Sequence, residues 1–313
     1  MVTNAVFKLL VDFPELSPYS EREEATFSFP HLVGHLAYHA MMLEVHLTPK
    51  PGLVDTANNG AHSDMDLNTF IQSADAIAPY MQQFVVAGWE CSGLPANRLL
   101  TVLRPIGVRA EQAMLKVTRG INTHKGMIFI LGLVCGALGW LKANHLNVDA
   151  NHIRETIRQA CQFLVVDELK NQPVSTFHTA GERMYQLYGL TGARGEAASG
   201  LSSVMQHSLP AYQTCLSAGA STEQALWQAL LVLMANNDDS NLVSRGGIDG
   251  LNFVKNEAKQ LLELGGYLYP EIEPALTALD KELIELHLSP GGSADLLAAT
   301  WFIHEVVQLL QDG

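Results

Sequence analysis

The apolar residues of this chain recur mostly at intervals of three and four positions, the spacing of one face of an α-helix. The clearest stripe runs from Leu67 to Phe84, and others run through Leu32–Leu43, Ile153–Val165 and Leu251–Leu262. A sustained alternation of apolar and polar residues, which is typical of a half-buried strand, does not occur in the sequence. The pattern therefore predicts an all-α protein.

Residues beside these stripes predict where single helices begin and end. Asp and Ser before an apolar stripe are good N-caps, and Ser221 followed by Gln224 is a capping-box pattern. Glycine after a stripe favours a helix end, and the last helix is expected from about Ala294 to Leu310. The expected end residues are Asp66, Asp149, Ser221 and Ser293 at helix starts and Gly88 at a helix stop.

The most apolar segment is Met127–Leu141, which lies between two lysines and contains several glycines. It is shorter than the ~18–20 residues that a membrane span needs. We therefore predict that it is the most buried helix of a soluble protein, and we expect no membrane partner.

Length and composition predict one large multi-helix domain. Of the 313 residues, 48% are hydrophobic, which is enough for a sizeable core. Residues 1–30 are mixed polar and contain two prolines, and they lack the apolar segment of a signal peptide. We predict an N-terminal extension over 1–30 and a single helical domain over 31–313.

The net charge of −13 argues against a nucleic-acid surface, which needs a basic footprint. It leaves room for a local basic pocket that binds a phosphorylated small molecule. The four cysteines lie far apart and form no CxxC pair, so we expect buried thiols in a cytoplasmic protein.

The candidate chemistry lies in five breaks between the predicted helices, because loops on a rigid scaffold commonly carry binding groups. Each break combines glycine or proline with polar or charged residues. The five breaks are 47–65, 104–109 with 120–126, 190–196, 236–247 and 288–295.

Basic side chains and free amides in these breaks could bind phosphate. Arg194 lies between two glycines and Arg245 precedes two more, so the backbone could approach a ligand while the guanidinium binds it. Lys125 and the Ser289–Ser293 segment each precede a helix, whose start favours anions. The alternatives are a solvated lysine, flexible turns and a plain helix start, and neither a GxxxxGK[ST] nor a GxGxxG motif is present.

Carboxylates in the same breaks could bind a cation. Asp238 and Asp239 follow an apolar helix directly, and Mg²⁺ commonly takes one or two carboxylates and completes its shell with substrate phosphates. The segment from His62 to Asp64 could supply a base or a metal ligand. The alternatives are a solvated helix end and a structural histidine. The residues alone thus indicate a phosphorylated small molecule with Mg²⁺.

Six segments, taken in order, resemble the triphosphoribosyl-dephospho-CoA synthase family. The resemblance spans nearly everything from about His35 to Phe302. The segments are Thr48-Pro-Lys-Pro-Gly-Leu-Val-Asp55, Gly60-Ala-His-Ser-Asp-Met65, Asn122-Thr-His-Lys-Gly126, Gly192-Ala-Arg-Gly-Glu196, Ser244-Arg-Gly-Gly247 and Ser289-Pro-Gly-Gly-Ser-Ala-Asp-Leu-Leu297.

The resemblance implies a pentosyl transfer, in an all-α domain whose active site is built from the loops between helices. ATP would lose adenine, and its triphosphoribosyl group would move to the ribose 2′-hydroxyl of 3′-dephospho-CoA. The product would be the prosthetic-group precursor for the acyl carrier subunit of citrate lyase or malonate decarboxylase. An α linkage in the family's product, against the β linkage of ATP, would imply direct displacement with inversion.

The resemblance also implies roles for single residues. The triphosphate and the acceptor substrate would contact basic, amide and hydroxyl groups. Asp64 and Asp239 would bind Mg²⁺ or stabilise positive charge. His62 and Glu196 would serve in acid–base catalysis beside those two aspartates. The expected binding residues are Lys50, Asn122, His124, Lys125, Arg194, Arg245, Ser289, Gly291, Gly292 and Ser293.

Two other functions remain open at this point. An all-helical N-glycoside hydrolase would cleave the same bond with water and would need no acceptor site. A non-catalytic binding protein could carry a CoA-type molecule, although an acidic surface is poorly complementary to an acidic carrier protein. The sequence also leaves self-association open, because a helix face that forms a dimer resembles a core face.

Overall fold

The computed structural model describes residues 29–170 and 180–311. Most of these residues are α-helical and none of them is in a β-strand, so the predicted all-α class is confirmed. The α-helices in chain order are α1 (Phe29–His46), α2 (Leu67–Glu90), α3 (Leu99–Val117), α4 (Lys125–Ala143), α5 (Ala150–Cys161), α6 (Ala180–Tyr188), α7 (Gly192–Ser199), α8 (Leu209–Ser217), α9 (Thr222–Asn236), α10 (Ser240–Glu263), α11 (Ile272–Glu285) and α12 (Gly291–Gln311).

Three of the predicted N-caps are confirmed. The carboxylate of Asp66 accepts the Thr69 amide at 2.8 Å, and that of Asp149 accepts the His152 amide at 2.9 Å. The Ser221 hydroxyl accepts the Gln224 amide at 3.2 Å and completes a capping box. Each side chain satisfies a first-turn N–H group that has no partner inside its own helix.

Three other boundaries were predicted wrongly. Gly88 lies inside α2, which continues to Glu90, and Arg104–Arg109 lies inside α3. Ser293 is not a cap, because α12 already begins at Gly291. In α2 and α3 tertiary packing outweighs the local signal: α3, for example, keeps a buried face through Leu103, Ile106 and Ala110 despite its internal proline.

Several predicted breaks are in large part the first turns of helices. α7 begins at Gly192 and therefore includes Arg194, and α10 begins at Ser240 and includes Arg245. α10 is kinked at Gly247, whose φ of 65° and ψ of −166° are not helical. The candidate binding residues are thus carried by helix N-termini as well as by loops.

The predicted apolar helix, α4, lies at the centre of the core. Nearly every residue from Met127 to Leu141 is buried. Among the described residues α4 alone has the length and hydropathy of a membrane span, but 72% of that window is buried inside the protein. The burial supports the prediction of a core helix.

Close contact between α2 and α4 depends on glycine. A Cβ added at Gly88 would lie 2.0 Å from the carbonyl oxygen of Gly136, and one added at Gly139 would lie 2.0 Å from that of Val85. These distances are far below van der Waals contact, so the two backbones can approach only because side chains are absent. This packing fixes α4 against α2 within the core.

The predicted N-terminal extension, residues 1–30, lies outside the described residues except for its last two. Phe29 and Pro30 are the first residues of α1. The helical domain predicted over 31–313 is described as far as residue 311, apart from 171–179.

We predict opposite effects for two glycine substitutions in helices. Gly139→Ala should lower the free energy of unfolding by about 1–3 kcal/mol, the usual cost of overpacking, because its Cβ meets the Val85 carbonyl. Gly107→Ala should raise it by about 0.5–1 kcal/mol, the helix-propensity gain, because its Cβ meets only the Phe84 ring at 4.0 Å. Urea unfolding followed by circular dichroism measures both, and equal effects would contradict the close packing of α2 on α4.

Candidate active site

Arg245 and His62 connect three of the five breaks. The Arg245 guanidinium donates to the Ala61 carbonyl at 2.9 Å and to His62 Nδ1 at 3.0 Å. His62 Nε2 lies 2.9 Å from the Ser289 hydroxyl. The breaks at 47–65, 236–247 and 288–295 therefore meet at one place.

These contacts fix the protonation of His62. Because a guanidinium can only donate, Nδ1 must accept, and Nε2 therefore carries the proton that is directed to Ser289. Burial and the neighbouring Arg245 lower the pKa of His62, while Asp64, at 3.9 Å, acts in the opposite direction. The geometry favours a neutral imidazole that orients Ser289 and Arg245 over one that accepts a proton.

Asp239 joins the starts of two helices. Its Oδ1 accepts the Asn241 amide at 2.9 Å and so caps α10, while its Oδ2 accepts the Ser293 amide at 2.9 Å and the Ser293 hydroxyl at 3.2 Å. The side chain is buried, and burial raises its pKa despite these hydrogen bonds. Asp238, by contrast, is exposed and pairs with Lys255.

Asp295 connects α12 to the start of α4. Its Oδ2 occupies the space of the missing side chain of Gly126, 1.9 Å from the position a Cβ would take, and the Asp295 carboxylate accepts the Met127 amide. His124, the N-cap of α4, makes no capping bond of its own, so Asp295 supplies the anionic partner of this helix start. Burial, together with the charges of Glu44 and Asp239, raises the pKa of Asp295 well above its usual range.

Lys50 forms a buried ion pair with Glu44. Both side chains are almost completely inaccessible, and the ammonium donates to the Glu44 carboxylate and, at 2.7 Å, to the Glu44 carbonyl. The Lys50 amide donates to Asp55 at 3.0 Å. The structure thus places Lys50 beneath the site surface, with its charge already paired.

His124 is also buried. Its Nδ1 lies 2.6 Å from the Ser73 hydroxyl, and its Nε2 has no hydrogen-bond partner among the described residues. Burial and the nearby Lys50 lower its pKa to about 3, so the ring is neutral at physiological pH. It can therefore act on a ligand only as an uncharged group.

The segment before α4 starts the helix and presents one lysine to solvent. The Asn122 side chain accepts the Lys125 amide at 3.1 Å. The Lys125 ammonium is 56% exposed and lies 3.1 Å from Glu111. Of the residues predicted in this break, Lys125 is the one whose charge can reach a ligand from the surface.

The remaining break meets the others through Gly192 and carries Arg194. A Cβ at Gly192 would lie 3.1 Å from the Ser240 hydroxyl, so the starts of α7 and α10 are adjacent. Arg194 Nε donates to Glu168 at 2.8 Å. Glu196 accepts the amide and the hydroxyl of Ser203, at 3.1 and 2.6 Å, which stabilises the turn after α7.

Four helix N-termini, those of α4, α7, α10 and α12, therefore lie side by side. At the start of α12 the amides of Gly291 and Gly292 belong to the first turn, whose N–H groups have no acceptor within the helix. Gly292 lies against Asp239, where a Cβ would be 3.0 Å from Oδ1. Converging helix starts with free amides suit a polyanion.

The described residues do not form a ready-made metal centre. They contain no group of three or more His, Cys, Asp or Glu side chains that could hold a metal ion. Asp64 is 61% exposed and lies 3.9 Å from His62 Nδ1, whereas both oxygens of Asp239 already accept protein hydrogen bonds. Asp64 and Asp239, the two predicted metal ligands, therefore have different surroundings in the described structure.

A separate open cleft of about 360 Å³ lies beside the first break. It is lined by Asp55–Asn59 on one side and by Asp66–Asn68 and Ile71 on the other. Its two carboxylates and several amides suit a neutral polar group better than a polyphosphate.

Sequence reasoning missed Glu44, Ser73, Glu168 and the role of Asp295. Glu44 and Ser73 lie within helices, among apolar stripes, and nothing in their neighbours reveals a distant partner. Asp295 did carry a signal, because it directly follows the first turn of the helix that begins within Ser-Pro-Gly-Gly-Ser, a segment that was already a candidate for binding anions.

We predict that Asp239→Asn destabilises the protein and Asp238→Asn does not. An amide at position 239 must turn an NH₂ group toward one of two backbone donors, and a buried unsatisfied group costs about 1–3 kcal/mol. The exposed Asp238 pair with Lys255 should contribute less than about 1 kcal/mol. Urea unfolding compares the two variants, and equal stabilities would contradict the bridging role of Asp239.

Comparison with known proteins agrees with the resemblance seen in the sequence. Proteins of Vibrio cholerae serotype O1 and Photobacterium profundum are 71% and 54% identical, over 99% and 98% of this chain and of theirs, and both are named "Probable 2-(5''-triphosphoribosyl)-3'-dephosphocoenzyme-A synthase". A protein of Pectobacterium atrosepticum that bears this name without "Probable" is 51% identical over 85% of this chain and 86% of its own length. No solved structure matches the chain.

The family evidence covers the whole described domain. The model of the CitG family, described as ATP:dephospho-CoA triphosphoribosyl transferase, matches residues 30–312. The converging breaks lie inside that range. This chain belongs to the CitG family of ATP:dephospho-CoA triphosphoribosyl transferases.

Proposed function

We propose that this protein transfers the triphosphoribosyl group of ATP to the ribose 2′-hydroxyl of 3′-dephospho-CoA and releases adenine. The observation that carries the proposal is the convergence of all five breaks through Arg245, Asp239, Asp295 and Gly192. Segments up to about 240 residues apart in sequence meet there, as a site for two large substrates requires.

In this proposal the triphosphate binds across the helix starts. Lys125 and Arg194 are partly exposed and extend charged donors, and the amides of Gly291 and Gly292 supply neutral ones. Arg245 lies at the rim with His62 and Ser289. Lys50, which is buried with Glu44, acts from beneath by holding the loop before Asp55.

Magnesium fits this site as an ion that ATP carries in, not as a resident metal. Mg²⁺ commonly keeps most of its shell from phosphates and water and takes one or two carboxylates. Asp64 is the predicted ligand with an accessible carboxylate, whereas Asp239 would have to give up a hydrogen bond. Bound there, the ion would neutralise part of the triphosphate charge.

The protein's carboxylates suit the displacement itself. Loss of adenine builds positive charge on the ribose, as in glycoside hydrolysis, and nearby negative charge stabilises it. We propose that Asp239 contributes this charge and that Asp295 takes the proton of the attacking 2′-hydroxyl. As the bond from the 2′-oxygen to the ribose carbon forms, the bond to adenine breaks, and adenine leaves with that electron pair and takes up a proton from solvent. The raised pKa of Asp295 makes its carboxylate a stronger base than that of an exposed aspartate, which favours it as the general base.

His62 and Glu196 take lesser parts in this scheme. Both are committed to protein partners, His62 to Arg245 and Ser289 and Glu196 to Ser203. We propose that they hold the loops that carry the binding groups, in a cytoplasmic enzyme. Its product would pass to the acyl carrier subunit of citrate lyase or malonate decarboxylase.

The first test of the proposal is a product assay. Purified protein with ATP, Mg²⁺ and 3′-dephospho-CoA should release adenine and form an adduct heavier by one triphosphoribosyl group, in equal amounts. Chromatography with mass spectrometry measures both products. A control without 3′-dephospho-CoA should release little adenine.

Two outcomes would contradict the proposal. Adenine release at the full rate without acceptor, with free ribose triphosphate, would identify an N-glycoside hydrolase. Tight binding of dephospho-CoA with ATP left intact would identify a carrier protein.

A second prediction concerns Asp295 and uses Glu305 as its matched control. Both carboxyls lie on α12, and burial raises the pKa of Glu305 to about 7. Asp295→Asn keeps an acceptor for the Met127 amide and relieves repulsion, so it should not lower the melting temperature, but it should lower kcat by about 10²-fold or more, the loss of a general base. Glu305→Gln should keep the wild-type rate.

The sign of the stability effect follows from these raised pKa values. A carboxyl that binds its proton more tightly when folded makes the folded state less stable as the pH rises through its raised pKa. Glu305→Gln should therefore be more stable than the wild type at pH 8, where a carboxyl with a pKa of about 7 is mostly charged, and the raised pKa of Asp295 predicts the same sign for Asp295→Asn. If Asp295→Asn retains the wild-type kcat, Asp295 is not the base.

A further inference from the structure

Glu168 is a partly buried carboxylate that pairs with Arg194, and the predicted site did not include it. It lies on a single π-helical turn, Val166–Lys170, outside all five breaks. Its Oε2 accepts from Arg194 Nε at 2.8 Å, and its Oε1 accepts from Arg104 on α3. A carboxylate is thus shared by two guanidinium groups, one of them on the first turn of α7.

The contact uses only one edge of the Arg194 guanidinium. Glu168 takes the Nε–H, and the two terminal amino groups of Arg194 make no hydrogen bond to the described residues. A guanidinium held at Nε presents both terminal groups in a fixed plane, which is the geometry for bidentate binding of a phosphate. Arg194 is one-quarter exposed, so this face is accessible.

The charges of Glu168, Arg194 and Arg104 also favour the binding of an anion by Arg194. Burial alone would raise the pKa of Glu168, but hydrogen bonds from Arg194 and Arg104 lower it below its usual range. The carboxylate therefore stays ionised at neutral pH. Two guanidinium groups and one carboxylate leave a net positive charge for an incoming anion.

Arg104 supports Glu168 from the other side. It is half-exposed and donates to the second carboxylate oxygen, so Glu168 is held from α3 while it holds Arg194 on α7. Adjacent to Arg194, Gly192 contacts Ser240 at the start of α10. Glu168 therefore orients the Arg194 guanidinium at the place where the helix starts converge.

We infer that Glu168 is a positioning residue for the triphosphate of ATP, which acts by holding the Arg194 guanidinium in its binding orientation. This inference rests on the proposed function, because it assigns the triphosphate to the helix starts. Glu168 does not itself touch the substrate, so its removal should weaken triphosphate binding and leave the chemical step of bound substrate largely intact.

The test is a double-mutant cycle read out by binding of inorganic triphosphate. Glu168→Gln, Arg194→Gln and the double variant are titrated calorimetrically with tripolyphosphate at fixed Mg²⁺. Each single variant should bind about tenfold more weakly or worse, as expected for a lost charge-assisted hydrogen bond. The double variant should bind no more weakly than Arg194→Gln alone, because Glu168 acts through Arg194.

Two further variants separate positioning from a merely structural role. Glu155→Gln removes a similar carboxylate from its pair with Arg158 on α5, outside the site, and should leave the affinity unchanged. Glu168→Asp keeps the charge at shorter reach and should recover part of the affinity. Thermal melting confirms that each variant is folded, and with ATP as substrate Glu168→Gln should raise KM more than it lowers kcat.

Each contrary result overturns the inference in a distinct way. Unchanged affinity in Glu168→Gln would leave the carboxylate a structural role alone. A loss that adds to that of Arg194→Gln would show that it acts independently, and tighter binding would show that Glu168 competes with the ligand. These outcomes are independent of the proposed reaction, which the product assay of the unmodified protein tests separately.

Discussion

The site depends on two carboxylates that tie helix starts together. Asp239 accepts backbone amides from both α10 and α12, and Asp295 extends from α12 to the first turn of α4. The amides of a helix's first turn have no acceptor within the helix, so side-chain oxygens that accept from them hold neighbouring helix starts together. These two side chains therefore connect the converging helix starts through hydrogen bonds, and the raised pKa of each reflects the cost of removing its charged form from water.

The rest of the molecule holds those helix starts at a fixed distance. α4 can enter the core only because glycines let it lie against the backbone of α2, and its buried face fixes the place where its first turn emerges. The Lys50–Glu44 pair and the Asp55 contact then fix the first break above it. The result is an acidic protein, of net charge −13, with a local group of free amides and guanidinium donors at the place where we propose that the triphosphate binds.

Periodicity and capping chemistry predicted most of the fold because both are local. The stripes of α1, α2 and α5 and the caps Asp66, Asp149 and Ser221 need only neighbouring residues. Gly88 was wrongly predicted to end a helix. A glycine is needed there because the carbonyl of Gly136 lies against it, and Gly136 is 48 positions away in the sequence. The site was predictable to the same extent. The ordered segments identified the family, but Glu44, Ser73 and Glu168 act through partners that only the fold brings near.

The most direct measurement of the central claim is a crystal structure of the protein with ATP and Mg²⁺ in the absence of the acceptor. Triphosphate oxygens should lie within hydrogen-bond distance of the Gly291 and Gly292 amides and of the Arg194 guanidinium. A triphosphate bound instead in the open cleft between Asp55–Asn59 and Asp66–Ile71, with the helix starts unoccupied, would contradict the account.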